Sequence, residues 1–142
     1  MVLNRDLINE RISEVNEAIK LLKELIAKPY EKLSKYEKLS MRYLVIQLVE
    51  ASASICLHLL IELLEDHARG YPECFIKLGE HKVIPEKLAK KLSHAARLRN
   101  LLVHRYWEID DHKVYNAVQS GLNDFKEFIK HVNSFLAKEA CH

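Results

Sequence analysis

Four side chains suited to phosphate chemistry fall within the stretch LRNLLVHRYWEID, residues 98–110. Arg99, Asn100, His104 and Tyr106 stand in the order Arg-Asn-x-x-x-His-x-Tyr. An arginine is permanently charged, and its planar fork matches the oxygens of a phosphate. A histidine has an ordinary pKa of about 6.5, so it can take or give a proton near neutral pH. Cleavage of RNA without a metal needs both. A base removes the proton of the 2′-hydroxyl, a cation stabilises charge building on the phosphorus oxygens, and an acid protonates the departing 5′-oxygen. One copy of the stretch supplies one histidine, and a two-fold assembly would bring a second into the same cleft.

Spacing limits how these groups can meet. Asn100 and His104 are four residues apart and share one face of a helix. Arg99 precedes His104 by five residues, about 140° away around an ideal helix. Both can address one ligand if the helix ends near His104 or if a second subunit completes the site. Tyr106 then lies past the helix end, in an extended stretch leading to the next helix.

The elements that must hold this stretch are helical. In the first, residues 3–27, Ile8, Ile12, Val15, Ile19, Leu22 and Ile26 recur at alternating steps of four and three, the stripe of a bundle helix. Pro29 ends it. The segment YEKLSKYEKLS then repeats YEKLS, one copy as a turn and the second entering a long helix, with Ser34 or Ser40 as its N-cap. That helix, to about residue 66, is apolar on most sides over residues 41–61, as a central buried helix should be. Arg42, Gln47, Glu50 and His58 interrupt it and argue against a membrane span. Glu50, a carboxylate in such a helix, needs a partner or a cleft. A Lys or Arg of a neighbouring helix and a role beside Arg99 are both open. His58 reads as the edge of the core.

Gly70 follows as the expected C-cap of this second helix. A short helix covers residues 73–78, and Pro85 suits the first turn of a fourth, residues 85–103. There Leu88, Leu92, Ala95, Ala96, Leu98 and Leu102 face the core, with Lys87, Lys90, Lys91, His94 and Arg97 outside that face. Asp110 or Asp111 can cap the last helix. Its stripe of Val114, Val118, Leu122, Phe125, Ile129, Val132 and Leu136, broadened by Phe128 and Phe135, reads as core rather than a stacking platform for bases. The expected fold is all-α, an up-and-down bundle of four long helices and one short helix in a single domain over residues 1–142.

A chain of 142 residues, 30% charged and 49% hydrophobic with three Gly and three Pro, fits that class. Cys56, Cys74 and Cys141 are odd in number and widely spaced, which argues against a disulfide framework or a zinc site and for a reducing cytoplasm. No signal peptide is evident at the N-terminus. Eight histidines include no His-Glu-x-x-His, no cluster of ligands stands at metal spacing, and a glycine-rich phosphate loop is missing, so neither metal nor cofactor is expected. The net charge of +2 is unevenly spread: residues 77–105 hold eight Lys or Arg against Glu80 and Glu86, a net +6, which leaves −4 for the rest. A basic run leading into Arg99 and His104 suits an anionic ligand.

With these residues and this helix order in view, the stretch resembles the Arg-x-x-x-x-His-x-Tyr signature of the HepT-like toxins within the HEPN domains, over the whole chain. The resemblance implies a helical endoribonuclease with Arg99 and His104 catalytic, Asn100 and Tyr106 supporting, and no metal. It also implies a homodimer with a composite site, and an MNT-type nucleotidyltransferase partner that neutralises the toxin by adenylylating Tyr106. Lys87, Lys90, Lys91, Arg97 and Arg105 are the expected RNA-binding cations. A non-catalytic nucleotide- or RNA-binding module, or a docking subunit for the nucleotidyltransferase, is the alternative.

Overall fold

The computed structural model describes residues 3–140. Helix α1, Arg5–Ile26, buries Ile8, Val15, Ile19 and Leu22 of its stripe. It starts at Asn4, whose side chain accepts from the Leu7 N–H at 3.0 Å. The Asn4 N–H donates to Nε2 of His58 at 3.0 Å, so half-buried His58 satisfies a helix terminus as well as edging the core.

The two YEKLS copies separate as their context requires. Tyr30–Lys32 forms a single 3₁₀ turn after Pro29, and the second copy lies inside helix α2, Lys35–Leu63. Ser34 and Glu37 form a reciprocal capping box at the junction. Helix α2 is long and apolar enough to cross a membrane, yet twelve of its residues are buried. All four other α-helices pack on it. It is the central post of the bundle.

Helix α2 stops at Leu63, and Glu65, with φ of 49°, takes the left-handed turn. Gly70 is therefore not its C-cap. With extended backbone it precedes helix α3, Tyr71–Glu80, instead. The turn is held by polar bonds: Asp66 accepts from Lys77 Nζ at 2.9 Å and meets His81 Nε2 at 2.9 Å. His81 and Lys77, with the His67 N–H, hold the Asp66 carboxyl far below the usual carboxylate range. A disulfide joins Cys56 of α2 to Cys74 of α3, contrary to the expectation from cysteine number and spacing. The two residues stand 18 apart in sequence and meet because both lie on the buried, facing sides of their helices. Cys141 lies outside the described residues.

Helix α4, Glu86–His104, follows Pro85, which occupies the N-cap position. Leu88, Leu92, Ala96 and Leu102 are buried as expected, whereas Ala95 and Leu98 are half-buried. Helix α5, Asp111–Ala140, buries all seven positions of its stripe, and Phe128 with them, while Phe135 is half-buried. Asp110 stands before it, and its side chain accepts from the His112 N–H at 2.9 Å. No strand occurs among the described residues, so the fold is an all-α bundle.

Gly79 sets the contact between α3 and α4: a Cβ there would lie 2.7 Å from that of Ala89. A Cβ at Gly121 would meet only Asp124 Oδ2, at 3.8 Å. In urea denaturation Gly79→Ala is expected to lose about 1–3 kcal/mol through overpacking. Gly121→Ala is expected to gain up to about 1 kcal/mol from helix propensity. Equal effects at the two sites would contradict this packing.

Candidate active site

The motif occupies the last turn of α4 and the link to α5. The helix ends at His104, where the Arg105 N–H makes the final bond to Leu101 O at 2.8 Å. Arg105, with φ of −137° and ψ of 41°, then turns the chain away. The link is a 3₁₀ turn, Tyr106–Glu108, not the extended stretch expected from sequence. A tight i→i+3 turn suits so short a span between two packed helices.

Arg99 is the anchored member. Its Nε and Nη2 donate to Oε2 of Glu50 at 3.1 and 2.7 Å. Its Nη1 donates to Oδ1 of Asn100 at 3.0 Å. The guanidinium also lies 4.7 Å from the centre of the Tyr71 ring, a cation–π contact from α3. Its side chain is 16% exposed, against 41% for that of Glu50. Glu50 therefore has its arginine partner from a neighbouring helix, and that arginine is Arg99. A guanidinium carries five N–H donors, of which three are used, so one on each Nη is left for a ligand.

His104 and Tyr106 are presented differently. His104 is exposed, and its side chain makes no hydrogen bond among the described residues. Tyr106 is 62% exposed, and its ring stands edge-on to Trp107 with centroids 5.3 Å apart. Arg99 and His104 thus project from different sides of α4 within one protomer, as the 140° offset requires. The Tyr106 carbonyl accepts from Nη1 of Arg42 at 3.2 Å. Arg42 also pairs with Asp111, and that carboxylate raises the pKa of its guanidinium.

Lys87, Lys90, Lys91, Arg97 and Arg105 are all exposed. Lys90, Arg97 and His104 follow one another at steps of seven, which drifts only about 20° per step and keeps them on one face. Lys90 and Lys91 lie 3.5 and 3.8 Å from Glu86 and Asp124, and Arg105 lies 3.6 Å from Glu108. Lys87 stands about 18 Å along the helix from Arg99 and is not brought to it. Behind the site, Leu98, Leu101 and Ile109 help line an apolar groove of about 800 Å³ between α2, α4 and α5. Tyr71 and Arg42 are the contributors that sequence reasoning missed. The charged Arg42 in an apolar helix was the available signal, whereas nothing local ties Tyr71 to the motif.

If Glu50 and Arg99 form one unit, their truncations should not add. A double-mutant cycle of Glu50→Ala and Arg99→Ala, read by urea denaturation, is expected to give a coupling energy of about 1–2 kcal/mol. Additive effects would show that the pair contributes nothing.

Comparison with known proteins identifies the family of the chain. Residues 15–132 match the family described as Ribonuclease HepT-like. The tRNA nuclease HepT of Aphanizomenon flos-aquae is 31% identical over 126 residues, which cover 80% of this chain and 86% of that protein. The mRNA nuclease HepT of Shewanella oneidensis is 25% identical over 129 residues, 87% of this chain and 94% of that one. Among solved structures, YutE of Bacillus subtilis superposes with a TM-score of 0.87 at 18% identity, over 96% of this chain and 93% of YutE. The tri-AMPylated Shewanella oneidensis HEPN toxin, in complex with an MNT antitoxin, superposes with a TM-score of 0.83 at 24% identity, over 91% of this chain and 98% of the toxin. The chain belongs to the HepT-like family of ribonucleases.

Proposed function

We propose that this chain is a metal-independent endoribonuclease toxin, one domain per chain, acting as a homodimer. Arg99 stabilises charge on the scissile phosphate, and His104 moves the proton. The observation that carries this reading is the contrast between them: Arg99 is fixed by Glu50, Asn100 and Tyr71, while His104 stands free at the helix end on the same face as Arg97 and Lys90. Asn100 orients Arg99. Arg97, Lys90 and Arg105 guide the RNA backbone toward the histidine, with Lys87 and Lys91 farther along the same helix. A second protomer supplies the second histidine that an acid–base pair needs.

The partner in this reading is an MNT-type nucleotidyltransferase that adenylylates Tyr106. A phenol this exposed, two residues past His104, is open to a second enzyme's active site. The added phosphodiester would place a negative charge beside the motif, where it competes with the RNA phosphate. The Shewanella toxin solved with its antitoxin is itself AMPylated, which supports the reading. The second reading, a non-catalytic RNA-binding or docking subunit, draws on the bonds that already occupy Arg99 within its own chain.

Incubation of purified protein with RNA in EDTA separates the two. Cleavage is expected to persist, and to fall at least about 10²-fold in both Arg99→Ala and His104→Ala. His104→Ala should melt like the parent chain, because an exposed imidazole adds little to folding. Wild-type rates in either variant would remove that residue from the mechanism, and no cleavage by the parent chain would favour the docking subunit.

Adenylylation has its own test. After incubation with an MNT-type nucleotidyltransferase and ATP, mass spectrometry should find AMP on Tyr106 and cleavage should stop. Tyr106→Phe should remain active under the same treatment. Modification of Tyr71 or Tyr115 instead would defeat this assignment without touching the ribonuclease one.

A further inference from the structure

Arg42 has no part in the chemistry above, yet it joins three elements. Its Nε and Nη2 donate to the two carboxylate oxygens of Asp111, at the start of α5, at 2.6 and 3.0 Å. Its Nη1 reaches the Tyr106 carbonyl between α4 and α5 at 3.2 Å. Both side chains of the pair are 20% exposed. The segment they hold has little else to fix it. Arg105, Tyr106, Trp107 and Glu108 are all exposed, and Ile109 is half-buried. Its own turn bonds, Glu108 N–H to Arg105 O at 2.9 Å and Ile109 N–H to Tyr106 O at 3.4 Å, shape the segment but do not attach it to the bundle.

We propose that Arg42 and Asp111 are positioning residues that clamp the link between α4 and α5, and so set where Tyr106 and the adjoining His104 stand relative to Arg99. The effect on catalysis rests on the ribonuclease reading above. The effect on the link does not.

The geometry explains why an arginine is required. A guanidinium presents its donors in a fixed fork, so one side chain can grip both oxygens of Asp111 and still aim a third donor at a carbonyl. A lysine carries the charge but cannot reproduce that fork. Arg42 and Glu50 are eight residues apart on α2, about 12 Å along one helix. The same helix therefore holds Arg99 through Glu50 and the far side of His104 through Arg42. Asp111 also belongs there for its own helix, because a carboxylate in the first turn of α5 favours the helix terminus. The lysine variant keeps the charge and loses the fork, so it separates this positioning role from simple attraction of a phosphate.

The experiment compares full-length Arg42→Lys and Asp111→Asn with the parent chain by two readouts. The first is time-resolved fluorescence anisotropy of Trp107, the only tryptophan in the sequence, which sits in the clamped turn. The second is steady-state cleavage of RNA. Both variants are expected to enlarge the fast anisotropy component and to lower kcat about 10- to 100-fold, as misplacement of a catalytic group does. KM should change by less than about threefold, because ground-state binding is not what is lost. Gly79→Ala, remote from the link, controls for destabilisation alone. Unchanged anisotropy in both variants overturns the clamp whatever the activity shows. Wild-type kcat in Arg42→Lys, or a loss confined to KM, overturns the positioning role in catalysis, as does an equal kcat loss in Gly79→Ala. If the parent chain cuts no RNA, the ribonuclease reading fails and the anisotropy alone decides the clamp.

Discussion

The burial of helix α2 is the constraint on which the rest depends. The other four α-helices pack on it, and residues such as Met41, Val49, Ile55, Leu59 and Leu60 are closed off from water. A charged side chain on such a helix is costly unless it reaches a partner. Arg42 and Glu50 both do, and both partners lie at the motif end of the bundle. The apolar packing that orders α2 thus fixes the origins of two polar grips on α4 and its link to α5. Position in the core and geometry at the site are one problem with one solution.

The site divides rigidity from exposure. Arg99 gives up most of its freedom to Glu50, Asn100 and Tyr71, so its ordering cost is met on folding rather than on ligand binding. A carboxylate partner also weakens the attraction of Arg99 for a distant anion, which leaves long-range attraction to the exposed lysines and arginines of α4. His104 keeps its rotamers and both ring nitrogens available. A fixed cation on one side of α4 and an exposed imidazole on another suit the proposed chemistry, in which the charge is met at one place and the proton collected at another.

Much of this was legible in the chain. The stripes of α1 and α5 follow from apolar periodicity, and Ser34 and Asp110 mark helix starts through their side-chain acceptors. Spacing left two ways for Arg99 and His104 to address one ligand, a helix ending near His104 or a second subunit completing the site, and α4 does end at His104. What was hidden depends on contacts distant in sequence. Glu50 announced that it needed a partner but not which one, since Arg99 lies 49 residues away. Cys56 and Cys74 form no recognisable spacing, and they meet only because α3 folds back on α2. The Gly70 expectation failed because a glycine is suited to a C-cap but not confined to one, and Glu65 took the left-handed turn five residues earlier. The 3₁₀ turn at Tyr106 reflects the short distance between the ends of two packed helices, which no local pattern encodes.

The disulfide also acts before the protein is folded. Tying Cys56 to Cys74 closes a loop of roughly 18 residues in the unfolded chain, which on chain-entropy grounds removes about 3 kcal/mol of its disorder. The closed loop contains Tyr71, three residues before Cys74. Whatever fraction of the chain is unfolded at any moment therefore still carries this aromatic ring tethered to the C-terminal part of the α2 sequence. Refolding begins with the ring that supports Arg99 already tethered to the stretch of α2 that carries Glu50, so two of the groups that hold that arginine start near one another.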